Sequence, residues 1–240
     1  MTKRAIVMGA SSGLGLEVAR LLKARGWMVG VAARRLERLA EFEVAAQIDV
    51  TSEDAGERLM QLVNRLGGMD LYFHASGIGK QNRDMDEAIE LHTMETNAVG
   101  FTRMVGAAYR YMARNGGGHI AVISSIAGTK GLGPAPAYSA TKAMQNTYIE
   151  ALQQLANAQK IKIRFTDLRP GFVDTDLLKP SEPTAKPFHY PMLLEPKAVA
   201  RQMVHSIERR QHVRIIDWRW RIATAAWRLV PRSLWRHFKL

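Results

Sequence analysis

Short, almost wholly apolar runs alternate with longer stretches of helical spacing along most of the chain. The pattern predicts strands at 4–8, 28–33, 44–48, 70–74, 119–124 and 162–167. Between them it predicts helices over 14–25, 53–66, 86–114 and 138–158, with a short one after residue 35. Half-buried strands alternate polar and apolar residues, whereas these carry almost no polar position. That places them in a parallel sheet covered on both faces. The expected fold is therefore α/β: a Rossmann-type, doubly wound parallel sheet in a three-layer α/β/α sandwich forming one domain. Residues 174–196 contain five prolines and take no regular assignment. Because they follow a strand's C-terminal end, they are expected to form a substrate loop. The domain is expected to span 1–216, followed by an extension over 217–240.

Composition agrees with a folded core. The 240 residues are 47% hydrophobic and 23% charged, with no cysteine, so disulfides and thiolate chemistry are excluded. The apolar run near the N-terminus is too short for a signal peptide, and no stretch has the length of a membrane span. The expected location is cytoplasmic, with membrane association left open by the extension. The histidines show no metal-ligand spacing and no carboxylate cluster occurs, so no metal is expected. The net charge of +12 could serve nucleic acid, but no nucleic-acid motif accompanies it and much of the excess lies at the C-terminal end. A phosphorylated cofactor, an acidic substrate or an anionic membrane would also suit it.

The candidate chemistry starts at the first strand. Gly9, Ser11, Ser12, Gly13, Leu14 and Gly15 form a Gly-x-x-x-Gly-x-Gly turn between a strand and a helix. Such a turn lets backbone N–H groups approach a pyrophosphate in front of a helix N-terminus. The second strand ends without the acidic residue that would bond a ribose 2′-hydroxyl. Arg34 and Arg35 stand there instead, which suits a 2′-phosphate. NADP(H) is therefore the preferred cofactor, with NAD(H) still possible; Arg34 is the stronger candidate, since Arg35 also reads as a solvated residue opening a helix. Farther on, Tyr138 and Lys142 are one turn apart on a helix. The ammonium favours the phenolate of a tyrosine that is otherwise a poor base. Ser125, thirteen residues upstream of Tyr138, ends an apolar strand.

Together these residues resemble the short-chain dehydrogenase/reductase family over about residues 4–210. The resemblance implies that Ser125 polarises a carbonyl, Tyr138 supplies its proton, Lys142 tunes Tyr138 and anchors the nicotinamide ribose, and Asn97 positions a water in a proton relay. It implies cofactor contacts from Asp49, Val50, Ala75, Ser76, Gly77, Pro170, Gly171, Val173 and Thr175. The implied activity interconverts a ketone or aldehyde and an alcohol, most simply as a carbonyl reductase on a small molecule. A silent dinucleotide-binding regulator or scaffold is the alternative, and a homodimer or homotetramer is implied through the helices near 86–114 and 138–158. Two departures stand out. His74-Ala75-Ser76-Gly77 replaces the family's Asn-Ala-Gly segment, and the stretch from Arg35 to Val44 is short. His74 is expected to play a structural part.

The extension carries four of the five tryptophans. A helical wheel puts Arg221, Arg228 and Arg232 on one side and Trp220, Ile222, Ala223, Ala226, Trp227, Leu229 and Val230 on the other, with Pro231 ending or kinking the helix. The apolar side is expected to pack on the substrate loop or a second subunit; peripheral membrane contact is the other reading.

Overall fold

The computed structural model describes residues 2–179 and 190–238. Seven parallel strands form one sheet: β1 (Arg4–Met8), β2 (Met28–Ala33), β3 (Val44–Gln47), β4 (Leu71–His74), β5 (Gly118–Ile123), β6 (Ile163–Arg169) and β7 (Val213–Ile215). Their spatial order is β3-β2-β1-β4-β5-β6-β7. The order reverses between β1 and β4, where Ala5 pairs with Val29 on one side and Leu71 on the other. At such a reversal the connections leave in opposite directions and open a crevice at the strands' C-terminal ends.

Helices cover both faces. On one lie α2 (Ala55–Leu66), α4 (Phe101–Arg114) and α5 (Pro136–Ala158), which bury Leu59, Met104, Val105 and Ile149 against Ile6, Tyr72 and Ile120. On the other, α1 (Gly13–Ala24) and α6 (Pro196–Glu208) bury Val18, Leu22, Met203 and Val204 against Val7, Val31 and Phe73. Alternate side chains of each strand thus feed opposite cores, which is why the strands read as unbroken apolar runs. The α/β sandwich expected from the sequence is the fold observed. The pattern had left α6 and β7 unassigned, and the trimmed stretch after Arg35 forms only a 3-10 turn, Leu36–Leu39.

The segment expected as one helix over 86–114 is interrupted. α3 (Glu87–Met94) passes through a π turn, Glu95–Gly100, before α4. π turns widen a helix and re-aim its side chains. Here the turn carries the buried Asn97, and it seats Gly100 where an added Cβ would lie 2.7 Å from Val50 Cγ2.

The core of the expected substrate loop, residues 180–189, lies outside the described residues. Its two ends meet: Asp174 N donates to Leu194 O at 3.0 Å, and Leu194 N to Phe172 O at 2.9 Å. The extension folds as α7 (Trp218–Leu229) and α8 (Arg232–Trp235), broken at Pro231. It packs on its own chain: Trp227 Nε1 donates to Thr129 Oγ1, and Trp235 Nε1 to Gly131 O, both at 2.8 Å. The wheel needs correction. Trp220 and Thr224 are buried, while Ile222, Ala226 and Leu229 face outward. A run of ring contacts from Phe172 through Trp220 and Trp227 to Trp235 selects the inner face. Thr224 is accommodated on it because its hydroxyl donates to Trp220 O at 2.8 Å.

Candidate active site

The crevice at the strands' C-terminal ends gathers the residues singled out in the sequence. The glycine turn leaves β1 with Gly9 at φ +88, and Gly9 N donates to Ala32 O at 2.7 Å. Close approach explains the glycines. A Cβ on Gly9 would lie 2.6 Å from Ser76 N, and one on Gly15 only 2.2 Å from Gly9 O. The turn, the first turn of α1 and the Ala75–Gly77 segment are thus locked together. Ser12 opens α1 without a side-chain cap, so the helix's first N–H groups face the crevice without a capping oxygen. Thr175 approaches Gly13 from the other wall. These features fit a dinucleotide's pyrophosphate: a cradle that no Cβ could share, and N–H donors aimed at it.

The adenosine end is polar. Arg35 is exposed and opens the 3-10 turn, and its Nη2 also donates to Ser11 Oγ at 3.4 Å, so it borders the phosphate turn. Arg34 is exposed and its charge, with the hydrogen bonds from Thr51, helps hold the Asp49 carboxyl below its usual range against the opposing effect of burial. Thr51 N and Oγ1 both donate to Asp49 Oδ1, at 3.0 and 2.8 Å, which fixes that side chain beside the buried Val50.

At the opposite end, α5 starts at Pro136, whose fixed φ suits the first helical position. Tyr138 therefore stands within the first turn and Lys142 one turn on. Ser125, in the connection after β5, accepts at Oγ from Ala127 N at 3.1 Å, and its side chain lies near the Tyr138 hydroxyl. Tyr138 keeps part of its surface open, yet its surroundings are dense enough that burial raises its pKa; the nearby Ser125 side chain acts the other way. Lys142 is 4% exposed, and burial brings its ammonium down to about 8 while the charge of Asp167 opposes the fall. Its Nζ donates to Ile123 O at 3.0 Å and lies 5.6 Å from the Tyr138 ring centre.

Asn97 pins the β4 exit. Its Nδ2 donates to Ile78 O at 2.7 Å, and its Oδ1 accepts from Ile78 N at 2.9 Å. This two-point clasp holds Ala75, Ser76 and Gly77 against the glycine turn. His74 is buried among core groups: Nδ1 pairs with the Tyr72 hydroxyl at 2.9 Å and the ring stands edge-on to Phe101. Burial and the nearby Lys142 charge bring its pKa to about 3, so the imidazole is neutral. Pro170, Gly171 and Val173 follow β6 along the same crevice, and a Cβ on Gly171 would collide with the Trp220 indole. The extension thus presses on the wall expected to border the nicotinamide.

Three features escaped the sequence pattern. Gln145, wholly buried, links Lys142 to Asn97. Gly79 lies flat under the Tyr138 ring, where a Cβ would sit 2.8 Å from Cδ2. Asp167, on β6, accepts from Ser124 Oγ and from Arg169 Nε, and Asn146 donates to Asp167 Oδ2 at 3.1 Å once its amide nitrogen is turned toward it. Polar residues on a buried helix face or strand were the available signal. A cavity of about 500 Å³ between the 128–133 turn and Trp235 is lined by Ser139, Ala140 and Ala143, not by Tyr138 or Lys142, so it does not mark the reaction centre. Among the described residues no cluster of histidine and carboxylate could hold a metal ion.

Comparison with known proteins bears on the family and the fold. The short chain dehydrogenase family model matches residues 3–186. An uncharacterized oxidoreductase of Myxococcus xanthus is 31% identical, with 97% of this chain and 94% of that protein aligned. One of Mycobacterium tuberculosis is 30% identical over 97% of this chain and 93% of its own. Among solved structures, an actinorhodin polyketide ketoreductase variant with NADPH superposes with a TM-score of 0.77 at 25% identity, covering 90% of this chain and 95% of that one. A putative short-chain alcohol dehydrogenase of Sinorhizobium meliloti shares the fold, with a TM-score of 0.80, 24% identity, and 92% and 98% coverage. The chain belongs to the short-chain dehydrogenase/reductase family and is an oxidoreductase of that family.

Proposed function

We propose that the protein is an NADP(H)-dependent carbonyl reductase, with Ser125, Tyr138 and Lys142 as its reacting-centre residues and Asn97 as their support. The observation that carries this reading is the gathering of three groups at one end of the crevice: Lys142 is buried with its Nζ 5.6 Å from the Tyr138 ring centre, and the Ser125 side chain lies near enough to Tyr138 to draw its pKa down. The cofactor, when bound, supplies the hydride. Ser125 donates a hydrogen bond to the substrate carbonyl oxygen, and Tyr138 gives that oxygen its proton as negative charge develops. Burial keeps the Tyr138 phenol protonated at neutral pH, which suits proton donation and hence reduction. Lys142 stabilises the phenolate left behind. Gly9, Ser11, Ser12, Gly13, Leu14 and Gly15 would hold the pyrophosphate, and Asp49 and Val50 the adenine. Ala75, Ser76, Gly77, Pro170, Gly171, Val173 and Thr175 would border the rest.

Arg34 and Arg35 support the 2′-phosphate preference, since both guanidiniums stand beyond the end of β2 and Arg35 already touches the phosphate turn. The similar ketoreductase, described with NADPH, is consistent with it. Oxidation of NADPH by a panel of ketones and aldehydes, followed by absorbance, tests the assignment. Turnover of at least one class supports it; tight NADPH binding with no turnover across the panel would leave a silent dinucleotide-binding protein.

The outer surface of the extension supports contact with an anionic membrane. Trp218 (65% exposed), Ile222 (61%) and Leu229 (84%) form a stripe along α7, and exposed Arg221, Arg228 and Arg232 flank it. No helix of the described residues is long and apolar enough to cross a membrane, so the contact is peripheral. Co-sedimentation with anionic and neutral vesicles at low salt distinguishes the outcomes, and no binding to either would remove this part of the reading. A shallow apolar depression on the outer face of α5, lined by Ala143, Met144, Thr147, Tyr148 and Ala151, supports self-association through that helix.

A further inference from the structure

Gln145 occupies an unusual position for a polar side chain. It has no exposed surface, and it lies on the face of α5 that carries Tyr138 and Lys142, seven and three residues before it. Lys142 Nζ donates to its Oε1 at 3.0 Å, and its Nε2 donates to the backbone carbonyl of Asn97 at 2.8 Å. The partners fix the amide's orientation, because an ammonium can only donate and a carbonyl can only accept. Asn97 itself sits in the π turn and spends its side chain on Ile78. The family resemblance implies a water positioned by Asn97; one lying between the Asn97 carbonyl and Lys142 would need to receive from the ammonium and donate to that carbonyl. Gln145 makes both bonds.

We propose that Gln145 is a positioning residue that replaces the bridging water, clamping Lys142 beneath Tyr138 and closing the inward proton path toward Asn97. The inference rests on the assignment of Tyr138 and Lys142 made above. An amide passes a proton from nitrogen to oxygen only through its imidic tautomer, so this link holds Lys142 without conducting. When Tyr138 has given its proton to the substrate oxygen, the phenolate must then recover one from a water on the open, cleft side, leaving hydroxide to the solvent. The charge balance around Lys142 is otherwise set by Asp167 from β6, His74 from β4 and Tyr138 from its own helix, none of which a change at Gln145 alters.

The test reads Lys142 directly, by nuclear magnetic resonance titration of the lysine side-chain carbons, assigned by loss of the signal in Lys142→Arg. Gln145→Met fills the space but removes the acceptor from the ammonium. The Lys142 midpoint is expected to fall by about one pH unit, as for the loss of one hydrogen bond to a charged group. Gln145→Ala leaves a polar space that a water can occupy, so its midpoint should stay within half that distance of the wild type. Gln145→Glu should raise it, and this variant decides the matter if the methionine variant does not fold. A midpoint unmoved in folded Gln145→Met, or lowered in Gln145→Glu, overturns the clamp. An alanine variant shifted as far as the methionine one overturns the equivalence with water. If these shifts appear while Tyr138→Phe keeps full activity, the catalytic assignment fails and the clamp stands.

Discussion

The two ends of the crevice are built by opposite means. At the cofactor end, the phosphate turn works through backbone: its N–H groups face outward, its packing excludes side chains, and Gly15 meets Gly9 O so closely that one added carbon cannot fit. At the proposed reaction end the groups are side chains, carried by α5, by the connection after β5 and by the π turn. Lys142, Gln145 and Asn97 are satisfied by one another and by the backbone of Ile123 and Ile78, and the Tyr138 ring stands 5.6 Å from the Lys142 ammonium. Burial changes the acid–base behaviour of such a cluster, as the lowered Lys142 pKa shows, whereas an uncharged amide turn has no comparable response to pH. One end should therefore be sensitive to shape and the other to functional groups.

The largest effects separate these two dependences. Tyr138→Phe removes one hydroxyl and no packing, so NADPH affinity and thermal stability should stay near the wild type. Steady-state reduction should fall by roughly 10²- to 10⁴-fold, the usual contribution of a placed acid. Activity within threefold of the wild type would refute the assignment. Gly15→Ala should do the reverse. It forces the turn and α1 apart, at a cost of roughly 1–3 kcal/mol in stability. Fluorescence titration should show NADPH binding weakened, and turnover at saturating cofactor should be much less affected. An alanine variant with wild-type melting and wild-type NADPH affinity would mean that the close contact is easily relieved and that shape does not govern this end.

Legibility in the sequence follows the same division. The strands were visible because burial on both faces makes them apolar throughout, and the glycine turn because only glycine fits at those positions. Spacing drew attention to Ser125, Tyr138 and Lys142, but their roles came from the family resemblance. Gln145 escaped notice, since a glutamine within a helix reads as an ordinary solvated residue unless the helix's buried face is already known. The π turn was hidden for a related reason: helical spacing continues through 86–114, and nothing in the residue types marks where the ladder widens. In the extension, tryptophan and leucine looked equivalent on a wheel. The chain instead chose the face bearing Trp220 and Trp227, seven residues apart, because their edge-on and tilted ring contacts reach the Phe172 wall and leave Ile222 and Leu229 outside.

A middle-sized effect tests whether the adenosine end belongs with shape or with charge. Arg35 touches Ser11, and Arg34 bears on Asp49. If these arginines receive a 2′-phosphate, Arg34→Ala and Arg35→Ala should each weaken NADPH by about tenfold and leave NADH nearly unchanged, consistent with the loss of a charge-assisted hydrogen bond. Equal loss for both nucleotides, by fluorescence titration, would instead assign the arginines to the architecture of the turn. That result would move the adenosine end to the side of the phosphate cradle.

The smallest effect concerns pH and belongs wholly to the reaction end. Under the proposed assignment, reduction needs a protonated Tyr138 and a charged Lys142. Burial keeps the first protonated well above neutrality but brings the second to about 8. In the free enzyme, kcat/KM for reduction should be level through neutral pH and decline above about 8, as deprotonation of Lys142 removes the charge that stabilises the developing phenolate. The fall should be a few-fold over the first pH unit past the midpoint. NADPH affinity carried by the amides of the phosphate turn should not decline with it, so titration and kinetics run on the same samples should part company above pH 8. A reduction rate that stayed level to pH 10 would show that the cation is not what tunes Tyr138. The distinction between a backbone-built and a side-chain-built end would then survive in structure but not in chemistry.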